Sequence, residues 1–109
     1  MKLLSEILYK AGLEEVLGST NLAISSVCFD SRKAKKDGLF VAVRGTQSDG
    51  HDFIQNAIER GAAAIVCETM PAEINIRVTY VKVKNSSMAL GIIAGNRSEE
   101  HTSELQSRL

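Results

Sequence analysis

Two short stretches hold the residue types that could do chemistry. The first is Phe29-Asp30-Ser31-Arg32, directly after a β-branched run. A serine hydroxyl and neighbouring backbone groups at a strand end can read a nucleobase edge or a ribose. Asp30 and Arg32 could equally pair with each other or cap the next turn. The second is the polar loop Arg44-Gly45-Thr46-Gln47-Ser48-Asp49-Gly50, followed by His51. Gly45 and Gly50 allow close backbone approach, and Thr46, Gln47 and Ser48 supply neutral hydrogen-bonding groups. A loop running from a strand into a helix start suits an anion such as a diphosphate, although many such loops bind nothing. His51 fits a helix-terminal or supporting role as well as ligand contact. His101 lies in a tail set aside below. The sequence has no GxxxxGK[ST] phosphate loop, no Ser/His/Asp or Cys/His arrangement and no His/Cys cluster with metal-ligand spacing.

These stretches need elements to position them. Leu3, Leu4, Ile7, Leu8 and Ala11 recur at helical spacing before Gly12, and Leu13–Leu17 can add another turn. Ser25–Phe29 reads as a strand. Leu39–Val43 is a continuous apolar run, as in a strand covered on both faces. Asp49 is placed to cap a helix over 52–60, with Asp52 three positions on in a variant capping box. Phe53, Ile54, Ala57 and Ile58 form its stripe, Arg60 complements its dipole and Gly61 suits a left-handed end. A second buried strand follows over 63–67, closed by a turn from Glu68 to Pro71. Val78–Val83 is a further strand. A last helix begins at Met88, capped by Ser86 or Ser87. Strand 39–43, helix 52–60 and strand 63–67 make a βαβ unit, which is nearly always right-handed with parallel strands. The fold class is therefore α/β, a small mixed sheet with flanking helices.

Size and charge agree with one domain. The chain has 109 residues, against about 100–200 per domain. It carries 13 basic and 13 acidic residues, which argues against a general nucleic-acid or membrane-surface binder. Apolar residues at 44% and charged residues at 24% are ordinary for a globular protein. No apolar run reaches the ~18 residues of a membrane span. The early carboxylate in Met1-Lys2-Leu3-Leu4-Ser5-Glu6 is unlike a signal peptide. Cys28 and Cys67 stand far apart among apolar neighbours, as reduced core thiols do. The expected compartment is the cytoplasm.

Taken in order, Asp30-Ser31-Arg32, Leu39-Phe40-Val41-Ala42-Val43-Arg44-Gly45, Asp49-Gly50-His51-Asp52-Phe53-Ile54, Ala57, Gly61-Ala62 and Ala64-Ile65-Val66 resemble the N-terminal domain of Mur ligases, the MurE type in particular. The resemblance covers residues 1–96. Enzymes of that type use ATP to add the third residue, diaminopimelate or lysine, to UDP-N-acetylmuramoyl-L-alanyl-D-glutamate. The resemblance implies that this part recognises the UDP-MurNAc end through Phe29, Ser31, Thr46, Gln47 and Ser48, with Asp30, Arg32, Gly45 and His51 in support. It implies no catalytic or metal-binding residue here. ATP and magnesium would serve parts of the parent beyond Asn96, so this chain is not expected to catalyse alone. The expected partner is the UDP-MurNAc-peptide precursor, with no nucleic acid and no membrane, and the chain is expected to be a monomer. One departure is Asp37-Gly38 where the family has Gly-Asp. MurF-type ligases share part of the pattern and are the nearest rival; a free-standing α/β binding module is the reading from another class.

Residues Arg97–Ser107 resemble the in-frame translation of a sequencing adapter. Residues 97–109 are accordingly read as an artefact tail behind a native domain of residues 1–96. A helix could still run through the junction, because Glu, Gln and Leu favour helix.

Overall fold

A computed structural model describes residues 2–45 and 48–97, with only the backbone of Arg97. Its centre is a five-stranded sheet in the order β2 (Leu13–Leu17), β7 (Thr79–Val83), β6 (Ala64–Cys67), β5 (Leu39–Val41), β4 (Val27–Cys28). Strands β4 to β7 run parallel, while β2 lies antiparallel along β7. A two-stranded antiparallel ribbon, β1 (Lys2–Leu3) with β3 (Ala23–Ile24), lies beside it in the chain. The mixed α/β expectation is met, with β5 and β6 as parallel neighbours across helix α2 (Ile54–Glu59).

Successive strand residues point to opposite faces, and both faces are covered. Leu39, Val41, Ala64, Val66, Val81 and Val83 pack with helix α1 (Leu4–Ile7) and helix α3 (Ser86–Arg97). Phe40, Ile65, Cys67 and Tyr80 pack with Ile54 and Ala57 of α2. This two-sided burial is why the strands read as unbroken apolar runs. Cys67 is fully buried, and burial pushes its thiol up to about 11. Burial likewise raises the thiol of half-buried Cys28.

Several expectations are corrected. Leu13–Leu17 is not a helical turn but the edge strand β2, with Val16 opposite Val81 and Leu17 opposite Tyr80. The first helix spans only Leu4–Ile7: Lys2 and Leu3 are drawn into the ribbon, and the Asn96 side chain donates to the carbonyls of Ile7 and Tyr9 beyond it. The strand expected over 25–29 is Val27–Cys28, and Phe29 stands out of it, 63% exposed. Helix 52–60 divides into a 3-10 turn, Gly50–Phe53, and the α-helical Ile54–Glu59. The last helix is capped by Asn85, whose side-chain oxygen accepts from Met88 N–H at 3.0 Å, rather than by a serine.

Asp37 takes a left-handed φ of 61°, and its N–H donates to Gly61 O at 3.0 Å. The inverted Asp37-Gly38 order thus places a side chain at the left-handed position of the turn into β5. Gly61 has a φ of 107°, and a Cβ there would stand 2.9 Å from Lys36 Cα. Residues 98–109, most of the supposed tail, lie outside the described residues. Among the described residues no helix is long and apolar enough to cross a membrane.

Candidate functional site

Because β4 and β5 are parallel neighbours, the segments leaving their carboxyl ends emerge side by side. Ligands of open α/β sheets bind in that position. A cleft of about 710 Å³ lies there. One wall is Phe29, Asp30, Ser31 and Arg32; the other is Val43, Gly45, Ser48 and Gly50; Phe40, Phe53 and Asn56 complete it. The two stretches singled out in the sequence therefore share one cleft. Thr46 and Gln47 lie outside the described residues. A second hollow of about 380 Å³, around Tyr9 and Lys10, contains none of the candidate residues.

Asp30 builds the first wall. It stands before a 3-10 turn, Ser31–Lys33, and accepts from Arg32 N–H at 2.9 Å. Arg32 also donates through Nε at 3.1 Å and Nη2 at 2.8 Å. The Arg32 side chain and backbone N–H together hold the Asp30 carboxyl down to about 2. Asp30 and Arg32 thus pair and cap at once. Ser31 is not an exposed strand-end residue: the turn folds it inward, and it is 8% exposed at the cleft edge. Among the described residues no hydrogen bond engages its hydroxyl.

The second wall is a tight reversal, closed by Gly45 N–H to Ser48 O at 2.9 Å and Gly50 N–H to Val43 O at 2.8 Å. Gly50 is required there, since a Cβ would stand 2.7 Å from Val43 N. Asp49 is a cap as expected, but of the 3-10 turn Gly50–Phe53 rather than of a helix over 52–60, and among the described residues no Asp52 capping box forms. Its side chain accepts from His51 N–H at 2.9 Å, and its carbonyl accepts from Asp52 N–H. The helix-start donors expected to await a diphosphate are thereby occupied by the protein's own oxygens. His51 N–H, above all, holds the Asp49 carboxyl below its usual range.

His51 is absent from the cleft lining; its ring bonds Asp49 and Glu68 N–H instead. Sequence reasoning missed two lining residues: Phe53, which it places in the apolar stripe, and Asn56, to which it gives no role. Helical spacing places Asn56 away from Ile54 and Ala57, but only the fold turns that face toward the cleft.

A family model described as Mur ligase family, catalytic domain, matches residues 23–98. The chain belongs to the Mur ligase family. The UDP-N-acetylmuramoyl-L-alanyl-D-glutamate–2,6-diaminopimelate ligase of Cytophaga hutchinsonii is 43% identical over 94% of this chain and 21% of its own length. Its namesake from Parabacteroides distasonis is 46% identical over 72% of this chain and 16% of its own. Among solved structures, MurF ligase from Thermotoga maritima superposes with a TM-score of 0.58 at 29% identity, covering 69% of this chain and 17% of that one. This Mur ligase chain thus spans about a fifth of the length of the curated relatives it matches.

Proposed function

We propose that this chain is the part of a MurE-type ligase that recognises the UDP-MurNAc end of its peptide precursor. The observation that carries the reading is the shared cleft: Phe29 and Ser31 on one wall, Gly45 and Ser48 on the other. An aromatic face and uncharged hydroxyls suit a uridine, and a polar site that leaves groups unpaired discriminates against the wrong ligand. Thr46 and Gln47 belong to the same proposal through the resemblance. Arg32, which lines the cleft and is paired to Asp30 yet 84% exposed, is a cation within the site for a phosphate. Matches to proteins named as diaminopimelate ligases favour the MurE type over MurF. The whole enzyme would add the third amino acid, as a monomer in the cytoplasm.

ATP and magnesium would belong to that whole enzyme, and the residues here do not fit them. The 109 residues contain no GxxxxGK[ST] loop. Among the described residues no group of three His, Cys, Asp or Glu could hold a metal ion. This chain's share is recognition, with no phosphoryl chemistry. The test is an amide NMR titration with UDP and with UDP-MurNAc-dipeptide. Weak binding that perturbs 29–32 and 44–50 is expected, and shifts confined to other surfaces refute the assignment.

A further inference from the structure

We infer that His51 is a positioning residue that sets the second wall of the cleft, a role that rests on the nucleotide-recognition reading above. Its side chain is 13% exposed. Nδ1 lies 2.7 Å from Asp49 Oδ1, and Nε2 accepts from Glu68 N–H at 2.9 Å. A backbone N–H can only donate, so Nε2 carries the lone pair and Nδ1 the proton given to Asp49. The ring is therefore a neutral two-headed bridge.

Each head holds something different. Asp49 lies between Ser48 and Gly50, both of which line the cleft. Glu68 directly follows β6, and its carboxylate holds the first residue of α3 by accepting from Ser86 N–H and Oγ–H at 2.8 Å each. His51 thus ties a ligand-facing loop to the rigid sheet. Without it the loop's closing bonds, Gly45 to Ser48 and Gly50 to Val43, are internal to the reversal. Arg44 runs alongside, donating to Thr69 Oγ1 at 3.2 Å. It is 56% exposed, however, and 3.6–3.7 Å from the Asp49 and Glu68 carboxylates, a geometry worth little in water. The less exposed imidazole is the stronger tether. Its ring does not line the cleft, so it acts on a ligand only through the placement of Ser48 and Gly50.

The test uses the 109-residue chain, with His51→Ala, His51→Gln and His51→Asn. Gln retains an acceptor near the Nε2 position and Asn a donor near Nδ1, so each keeps one head. Long-range nitrogen NMR of the wild type should show a neutral ring protonated at Nδ1; an Nε2–H tautomer overturns the bridge. His51→Ala should move the Gly45 and Ser48–Gly50 amides and weaken UDP binding about tenfold, while Gln and Asn each recover part of the loss. Unmoved loop amides, or His51→Gln binding UDP like wild type, overturn the inference. Should His51→Ala not fold, the Gln and Asn variants decide by the same readouts. If wild type binds no UDP, nucleotide recognition fails, while the tautomer and the loop amides still decide the tether.

Discussion

Glu68→Ala removes the acceptor that organises the start of α3. Ser86 is fully buried, and both its N–H and its hydroxyl donate to Glu68 Oε2 at 2.8 Å. The substitution orphans two buried donors at about 1–3 kcal/mol each. Water can follow the path of a side chain 22% exposed and satisfy part of that demand. A net loss of about 2–4 kcal/mol is expected, which for a domain this size lowers Tm on the order of 10–25 °C. Glu68→Gln keeps a neutral acceptor and should cost only about 1 kcal/mol. Acid provides the second axis. Ser86 N–H, then its hydroxyl, hold the Glu68 carboxyl below its ordinary 4.5. Its folded pKa lies below the unfolded one, so its contribution is present above that ordinary value and is lost as pH falls through the folded pKa. The stability gap between wild type and Glu68→Gln should therefore close on acidification. Thermal unfolding followed by circular dichroism, at neutral pH and again near pH 3, measures both effects. A Glu68→Ala melt within about 2 °C of wild type at neutral pH would refute the reasoning.

Three further outcomes are expected. Ser31→Ala should cost less than about 1 kcal/mol in denaturant unfolding, since among the described residues its hydroxyl has no partner to orphan, yet weaken UDP binding roughly tenfold by calorimetry. Asp37→Gly should stabilise by about 0.5 kcal/mol, because glycine relieves a φ of 61° and part of the gain is returned as unfolded-chain entropy; a destabilised variant in urea melts refutes this. The Asp30 carboxyl should titrate near 2, so the turn it caps is intact above the usual 3.8 and released as pH falls toward the folded value. Carboxyl NMR that shows no upward move of that midpoint in Arg32→Ala would exclude the ion pair as its cause.

The sequence by itself determined the parts whose signal is local. Strands β5 and β6, Leu39–Val41 and Ala64–Cys67, were legible within the apolar runs 39–43 and 63–67 because both faces are covered, so no polar alternation blurs them. Gly61 marked a helix end because its left-handed φ admits few other residues. The order of short motifs also pointed to the family. What sequence spacing could not decide was anything set by a distant partner. Leu13, Val16 and Leu17 fit a helical face as well as an edge strand, and pairing with β7 settled the matter. The N–H groups at the helix start have the chemistry to invite an anion, but the carboxylate and carbonyl of Asp49 accept from His51 and Asp52 N–H first. Phe29–Arg32 share one cleft with Gly45, Ser48 and Gly50 only because β4 lies beside β5, and strand order is fixed by packing across the whole core. A local pattern specifies which groups a segment offers, and the tertiary fold decides which of them meet.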